Sequence, residues 1–181
     1  MNGLLGSADG LHLVPMEKEA FDAFYKTMVS SFVREERRDE ADARRQLENP
    51  LFTVYSIVDG RQTVGYVTVW QTRGFAFLEH FFMREEYRNR GYGARTMTIV
   101  QEAFGDLVLE AEPTEDSEIA ARRVAFYERL GFHQNHAPYL QPSYHGDEPV
   151  PLVLMSYPSP RKELAETVDQ IYSVVYGITK G

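Results

Sequence analysis

The sequence predicts a mixed α/β fold with a mainly antiparallel central sheet flanked by helices, and two observations carry that prediction. In the first half of the chain, three successive runs of β-forming residues are separated by short turns, which is typical of an antiparallel meander. In the second half, β runs alternate with stretches of helical periodicity, in the order strand, loop, helix, strand, helix, strand. The length of 181 residues fits one domain with short appendages.

The individual elements follow from periodicity and from turn residues. In the first half we expect a strand at 11–14, a helix at 17–32, a polar helix ending near Leu47, and β runs at 52–58, 63–72 and 75–83 with a hairpin turn at Asp59-Gly60. In the second half we expect helices at 94–104, 117–130 and 161–176, and strands at 107–109 and 151–157. Ser117 is the expected N-cap of its helix, and Gly131 the residue that ends it.

These elements predict a domain organisation in three parts. Residues 1–10 are expected to be a loose, flexible tail because they are rich in small and polar residues. Residues 11–157 would form the domain itself. Residues 158–181 would add a C-terminal helix that packs on the domain through its apolar stripe.

Composition excludes several classes of function. The chain has no cysteine, which excludes disulfides, thiolate metal sites and a cysteine nucleophile. The net charge of −8 disfavours nucleic acid and anionic membranes as partners and favours cationic partners such as amines. No segment reaches the ~18 apolar residues of a membrane span, and the first residues lack the basic start of a secretory signal. We therefore expect a cytoplasmic protein.

The segment after the third β run carries the main functional signal. A strand ending near Met83 leads into a loop with two glycines, Gly91 and Gly93, and the loop opens a helix. Glycine tolerates positive φ and leaves no side chain between the backbone and a ligand. The amide N–H groups at a helix start favour an anion. Three arginines add positive charge to this loop, Arg88, Arg90 and Arg95. These features predict a pyrophosphate site.

The spacing of the glycines narrows the choice of ligand. The P-loop lysine is missing, and Thr96 stands where a dinucleotide fingerprint needs its third glycine. What remains is Arg88-x-x-Gly91-x-Gly93, which begins five residues after the strand ends at Met83. This pattern resembles the acetyl-CoA motif of the GNAT superfamily of N-acyltransferases.

A second segment supports the same resemblance. Residues 125–132 resemble the family's helix-to-strand segment ending in Tyr-Glu-x-x-Gly-Phe, with Tyr127 as its tyrosine. The two segments occur in the family's order, and the resemblance covers roughly residues 11–157. One position departs from it, since Ala120 stands where many members have the asparagine that holds the pantetheine arm. Ser117, Glu118 or a backbone group would have to replace that asparagine.

The resemblance implies a GNAT-like fold and an N-acetyltransferase that moves an acetyl group from acetyl-CoA to a primary amine. Since the chain has no cysteine, direct attack in a ternary complex is expected. The resemblance places the cofactor-binding residues in two segments of this chain, a strand end and the loop that follows it. The strand-end backbone at Phe81, Phe82 and Met83 would bond the pantetheine amides and polarise the thioester carbonyl. The loop would hold the pyrophosphate, through Arg88, Arg90, Gly91, Tyr92, Gly93, Ala94 and Arg95.

The same resemblance implies a candidate acid, and positions on the predicted strands supply candidates for the base. Tyr127 would protonate the departing thiolate, since a phenol of pKa ~10 keeps its proton at neutral pH. Glu79 is the first candidate for the base, followed by Glu110 at the end of the next strand and by His80; a water chain is the alternative. Each also has a structural interpretation, in which Tyr127 is a packed aromatic residue and Glu79 is the partner of an arginine.

Several alternatives stay open on the sequence alone. A silent acyl-CoA-binding module, a transferase of longer acyl groups and an unrelated nucleotide-phosphate binder all fit a pyrophosphate loop. The acceptor is expected to be a small-molecule amine or a protein or peptide amine, and the chain a monomer or a homodimer. By resemblance, weak candidates for acceptor contacts are Phe32, Glu35 and Arg37. His133 and His136 lack a third ligand, so no metal is expected.

Overall fold

The computed structural model describes residues 4–179. It contains eight strands, β1 (Gly6–Ala8), β2 (Leu11–Pro15), β3 (Phe52–Asp59), β4 (Gln62–Gln71), β5 (Ala76–Met83), β6 (Leu107–Ala111), β7 (His133–Gln141) and β8 (Val150–Tyr157). It also contains five α-helices, α1 (Phe21–Ser31), α2 (Glu40–Gln46), α3 (Tyr92–Phe104), α4 (Glu118–Arg129) and α5 (Leu164–Val174). Short 3-10 turns occur at Lys18–Ala20, Arg34–Glu36 and Glu85–Tyr87.

The strands form one mixed sheet in the order β1-β2-β3-β4-β5-β6-β8-β7. β1 with β2, β2 with β3, β6 with β8, and β7 with β8 are antiparallel, whereas β5 and β6 are parallel. The predicted mixed, mainly antiparallel α/β fold is therefore confirmed. The parallel register matches Ala76–Leu78 with Leu107–Leu109, and β5 continues for five residues beyond that register.

The chain divides into two compact units. The first comprises Met1–Val69 and Glu79–Ala103, and the second comprises Trp70–Leu78 and Phe104–Gly181. In the first unit, α1 buries the apolar residues that its periodicity predicts, Phe21, Phe24 and Met28. In the second unit, the C-terminal helix α5 buries Ile171 on the face predicted to be apolar.

Two strands differ from the sequence prediction. Gly6–Ala8 form β1, paired with β2, inside the segment expected to be a loose tail; residues 1–3 of that tail lie outside the described residues. Strand β7 was also missed, because it contains a proline and little apolar alternation. Strand β7 is held in place by its pairing with β8, which continues across a register shift between Asn135 and Tyr139.

Candidate active site

The glycine-bearing loop of the first unit joins β5 to α3 through two left-handed residues. Asn89 has φ +58° and Gly91 has φ +79°, and α3 begins at the next residue, Tyr92. Gly93, by contrast, lies in the first turn of α3, so the expected positive φ is found at Gly91 and not at Gly93. A Cβ on Gly91 would meet no atom within 4 Å. Glycine is therefore favoured at Gly91 by the backbone conformation and not by crowding.

The start of α3 presents amide groups and positive charge together. The first N–H groups of a helix have no intrahelical acceptor, and the first turn of α3 carries no acidic residue. Arg88 donates to the Met83 carbonyl at 3.3 Å and to the Ser31 hydroxyl at 3.2 Å. Arg95 donates to the Asp9 carbonyl at 2.6 Å. These acceptors are uncharged, so the hydrogen bonds do not neutralise either guanidinium.

Aromatic side chains brace this loop. The Tyr92 hydroxyl donates to Asp59 at 2.6 Å, a hydrogen bond that raises the pKa of Tyr92. The Tyr92 and Tyr87 rings meet edge to face at 6.0 Å, and the Arg90 guanidinium lies 5.7 Å from the Tyr87 ring. Tyr92 thus ties the loop to the hairpin that ends β3.

The side chains at the end of β5 differ in burial. Phe82 is buried among the rings of Phe24, Phe32 and Tyr66, so its side chain belongs to the core. Phe81 and Met83 are half-buried. Gly65 on β4 lies so close that a Cβ there would be 2.5 Å from the Phe82 carbonyl oxygen. Nothing in the sequence signalled this requirement for glycine.

Glu79, the first base candidate, lies in a buried ion pair. Its side chain is 1% exposed, and Arg38, 19% exposed, donates to one carboxylate oxygen at 3.1 Å. Gln46 of α2 donates to the other oxygen at 2.7 Å. Both donors come from a segment far from Glu79 in sequence, which is why the sequence did not identify them. In this arrangement Glu79 anchors the segment between α1 and α2.

His80 anchors the same segment from the next position on β5. Its Nε2 lies 2.8 Å from the Glu36 carbonyl oxygen, which accepts a hydrogen bond from that nitrogen. Its ring packs against Phe32 at 4.9 Å. Of the weak acceptor candidates, Phe32 is half-buried against His80 and Phe82, Arg37 donates to the Tyr25 hydroxyl at 3.0 Å, and Glu35 is exposed.

Replacing Arg38 by methionine is expected to lower the melting temperature by about 6–12 °C. Removing one partner of a buried ion pair costs about 3 kcal/mol, and at this chain length each kcal/mol is worth about 2–4 °C. The matched control is Lys18→Met, which removes the exposed pair with Glu48, whose two side chains are 69% and 71% exposed. Differential scanning calorimetry of both variants makes the comparison. Equal melting temperatures for the two would contradict the anchoring role of Glu79.

Tyr127, the candidate acid, lies in the second unit on α4. It is 8% exposed, and its ring meets Phe126 at 5.2 Å and Phe132 at 5.5 Å. Burial raises the pKa of Tyr127 to about 12. The phenol therefore keeps its proton at neutral pH, as an acid must, and the ring is also the packed aromatic residue of the structural interpretation.

The free energy of unfolding is expected to fall as the pH rises from about 10 to about 12. The native Tyr127 phenol, with a pKa of about 12, keeps a proton that the unfolded chain loses near pH 10. The contribution is complete below pH 10 and is lost as the pH rises through the native value. Tyr127→Phe should make the slope shallower by up to about 1.4 kcal/mol per pH unit. Denaturant titrations between pH 9 and 11 measure it, and an unchanged slope would contradict the prediction.

Glu110 lies near the end of β6, also in the second unit. Its carboxylate accepts hydrogen bonds from the hydroxyls of Tyr139 and Tyr176 and from the side-chain amide of Gln141. Its antiparallel neighbour in β8 is Leu154. The sequence selected Glu110 from its place at a strand end, but gave no sign of these donors, which all follow it by 29 residues or more.

At the position of the missing asparagine, the side chain is buried and offers no contact to a ligand. Ala120 is fully buried, and its N–H donates to the Ser117 hydroxyl at 3.0 Å. Ser117 is therefore the N-cap of α4, as predicted, and its hydroxyl is used by the helix. Gly131 has φ +84° just past the end of α4, which confirms it as the residue that ends the helix.

A surface cleft of about 700 Å³ lies in the second unit and contains none of the predicted site residues; it is lined by Glu128, Gly131, Phe132, His133, Gln134, Asn135, His136, Pro160, Arg161 and Leu164. Two of its polar side chains, those of Asn135 and Arg161, bond to protein. Asn135 donates to Leu154 and Ser156 and accepts from the Arg161 N–H, and the Arg161 guanidinium donates to Asp106 at 2.5 Å.

Two structural observations bear on other classes of function. Within residues 4–179, no group of three or more histidine, aspartate or glutamate side chains could hold a metal ion. No helix in the described part of the chain is long and apolar enough to cross a membrane.

The strand order and the loop ahead of α3 define a class, the acyl-CoA-dependent N-acetyltransferases, and comparison with known proteins shows the family. The model of the acetyltransferase (GNAT) family matches residues 18–132. A solved structure from Bacteroides thetaiotaomicron, of a protein assigned to the GNAT family of acetyltransferases, is 30% identical, with a TM-score of 0.86 over 92% of this chain and 99% of that one. The chain therefore belongs to the GNAT acetyltransferase family. Acetyl transfer to amines is the general reaction of that family.

More distant structures share the fold. The ribosomal-protein-S18-alanine N-acetyltransferase of Escherichia coli is 16% identical, with a TM-score of 0.59 over 83% of this chain and 95% of that one. An aminoglycoside 6′-N-acetyltransferase, solved in complex with coenzyme A, is also 16% identical, with a TM-score of 0.59 over 82% of this chain and 98% of that one. By sequence search, no curated protein matches this chain.

Proposed function

We propose that the protein transfers an acetyl group from acetyl-CoA to a primary amine by direct attack in a ternary complex. The observation that carries the proposal is the loop after β5, where left-handed Gly91 leads into the amide groups of α3 beside Arg88 and Arg95. Such an arrangement suits the pyrophosphate of coenzyme A. Residues 11–157 would carry the reaction, and the C-terminal helix would pack on them.

The residues around this loop fit coenzyme A in charge and in shape. Arg88, Arg90 and Arg95 would face the phosphate oxygens, while Gly91, Gly93 and Ala94 would offer backbone amides with little side chain in the way. Tyr92 would hold the loop in place through Asp59. The backbone of Phe81, Phe82 and Met83 would bond the pantetheine arm.

The proposed reaction moves one acetyl group and two protons. A base takes a proton from the ammonium, and the neutral nitrogen attacks the thioester carbonyl carbon. The tetrahedral intermediate then expels the thiolate, which takes a proton from Tyr127, and the nitrogen loses its second proton, which restores the Tyr127 phenol. Because the thioester is already activated, holding the two substrates together is the main requirement, and it is worth ~7–11 kcal/mol.

Two carboxylates stand as candidates for the base. Glu79 already bonds Arg38 and Gln46, whereas Glu110 accepts from uncharged side chains, Tyr139, Gln141 and Tyr176. An adjacent guanidinium competes with an ammonium for the Glu79 carboxylate. Both carboxylates stay candidates for the base.

The acceptor class follows from the same chemistry and from the charge of the chain. One relative with this fold acts on an alanine of a ribosomal protein and another on aminoglycosides. A net charge of −8 favours a cationic amine, in a small molecule or at the end of a peptide.

Release of free CoA thiol from acetyl-CoA, followed with a panel of amines, tests the proposal. The panel comprises a polyamine, an aminoglycoside, a free amino acid and a peptide with N-terminal alanine, with Arg88→Glu as the control that should fail to bind CoA. Binding of CoA with no thiol release for any amine would indicate the silent module, which buried Ala120 favours. Preference for a longer acyl-CoA in a competition assay would show that the acyl donor is not acetyl-CoA. Stabilisation by ATP and not by CoA would refute the proposal.

A further inference from the structure

Two protein oxygens hold the Arg88 side chain ahead of α3. Its Nε donates to the Met83 carbonyl at 3.3 Å, and its Nη2 donates to the Ser31 hydroxyl at 3.2 Å. Within residues 4–179, the structure gives this guanidinium no other hydrogen bond and no ion pair. Arg88 is exposed, and an exposed arginine samples many rotamers when nothing holds it. These two oxygens therefore limit where its charge can lie.

Ser31 differs from the other serine and threonine of α1 in the partner of its hydroxyl. Thr27 donates to the Ala23 carbonyl at 2.9 Å, and Ser30 donates to the Thr27 carbonyl at 2.8 Å. Both hydroxyls thus bond back to their own helix, a common pattern for these residue types. The Ser31 hydroxyl instead accepts from a residue 57 positions later in the chain. The last residue of α1 therefore links that helix to the loop before α3.

The packing of α1 fixes the position of Ser31. Phe24 and Met28 are buried, and Ser31 follows them at helical spacing, so it lies on the same face of the helix. The Phe24 ring meets Phe82 of β5 at 6.1 Å and Tyr66 of β4 at 5.2 Å. This face therefore packs on β4 and β5, and the half-buried Ser31 continues it at the end of the helix.

The other acceptor, the Met83 carbonyl, belongs to a strand end that β4 holds closely. A Cβ on Gly65 would lie 3.0 Å from the Met83 Cα, so β5 approaches β4 here with little room for a side chain. The next residue, Arg84, donates its N–H to the Val64 carbonyl at 2.9 Å. Both partners of Arg88 thus belong to packed helix or strand and not to the loop itself.

The two contacts use one edge of the guanidinium. An arginine has five N–H donors in a fixed planar fork. The Nε–H and one N–H of Nη2 lie on the same edge of that fork, and Met83 and Ser31 occupy this edge. The three remaining donors, on Nη1 and Nη2, include the pair that bonds two oxygens of one phosphate. Because the first edge is held by packed elements, the outer edge keeps one direction.

We propose that Ser31 is a positioning residue for coenzyme A, whose hydroxyl holds Arg88 with its outer donors directed at the pyrophosphate. This inference rests on the proposed acetyl transfer and adds α1 to the elements that hold the cofactor. A guanidinium already held beside the amides of α3 loses little freedom when the diphosphate binds. The hydroxyl is also neutral, so it holds the arginine without cancelling the charge that attracts the diphosphate.

The test is the affinity of Ser31→Ala for acetyl-CoA, measured by isothermal titration calorimetry. Loss of the hydroxyl returns rotamer freedom to Arg88, so the Kd should rise about fivefold. Ser31→Thr keeps a hydroxyl at this position and should bind like the wild type. Ser30→Ala is the matched control, since it removes the neighbouring hydroxyl, which bonds to its own helix. Its affinity should also stay unchanged.

A second measurement follows Arg88 directly and needs neither acetyl-CoA nor turnover. The side-chain Nε–H signal of Arg88, assigned by its absence from Arg88→Lys, reports the mobility of the guanidinium through ¹⁵N relaxation. Ser31→Ala should raise that mobility, whereas Ser31→Thr and Ser30→Ala should leave it as in the wild type. A residue that only stabilised α1 would not change the motion of this one side chain.

Three results would overturn the inference. These are a Ser31→Ala variant that binds acetyl-CoA like the wild type, an equal loss of affinity in Ser31→Thr, and an Arg88 mobility that Ser31→Ala leaves unchanged. Each of them leaves the proposed function intact as long as the wild type binds acetyl-CoA. A wild type that binds no acetyl-CoA would instead refute the proposed function, and this inference with it.

Discussion

Replacing Gly91 by valine is expected to weaken acetyl-CoA binding at least tenfold. Gly91 has φ +79°, and an L-residue in the left-handed region costs about 1–2 kcal/mol, more when it is β-branched. The loop relieves that strain by leaving the conformation that turns the first amides of α3 toward a ligand. Isothermal titration calorimetry with acetyl-CoA measures the loss directly.

Gly146 provides a control, because it has the same left-handed backbone conformation as Gly91 but lies outside the proposed pyrophosphate site. Its φ is +80°, and like Gly91 it has no heavy atom within 4 Å of the position of a Cβ. Gly146→Val should therefore cost a similar amount of stability and leave acetyl-CoA affinity unchanged. If both variants bound acetyl-CoA like the wild type, the loop would not be the pyrophosphate site.

Replacing Tyr127 by phenylalanine is expected to lower kcat about a hundredfold while acetyl-CoA affinity stays nearly the same. The change removes the proton donor for the thiolate, and general acid catalysis is typically worth ~10²–10⁴-fold. The ring remains, so its contacts with Phe126 and Phe132 are kept. Steady-state kinetics and a binding titration separate the two effects.

Tyr157→Phe is the control for this change. The Tyr157 ring packs on the same Phe132 at 5.6 Å, so the variant loses a phenol hydroxyl from the same aromatic group. Its kcat should match the wild type. Equal kcat values for Tyr127→Phe and the wild type would remove Tyr127 from the acid role and leave it as a packed aromatic residue.

Local sequence patterns were sufficient to predict most of the helices and strands. The apolar spacing of Phe21, Phe24 and Met28 predicted α1, and Asp59-Gly60 predicted the turn between β3 and β4, where Gly60 has φ +60°. The cap at Ser117 was also correct. Each of these features depends on residues a few positions apart, whose preferences are written in the chain itself.

Strands that depend on a partner were missed. β1 is three residues long, and β7 is polar and contains Pro138, so neither has a signal of its own. Each is ordered by the ladder of hydrogen bonds that its neighbour, β2 or β8, supplies. Backbone pairing between distant segments leaves little trace in composition.

The sequence by itself determined the fold class, the family resemblance and the loop from Arg88 to Arg95, because these depend on short-range spacing and on residue types. The tertiary structure decided which donors each candidate carboxylate has. Glu79 lies within β5 and Glu110 near the end of β6. Arg38 and Gln46 donate to the first, whereas Tyr139 and Tyr176 donate to the second. The partners lie 29 to 66 residues away along the chain. Folding alone brings them within hydrogen-bonding distance, and a carboxylate takes its chemistry from those neighbours.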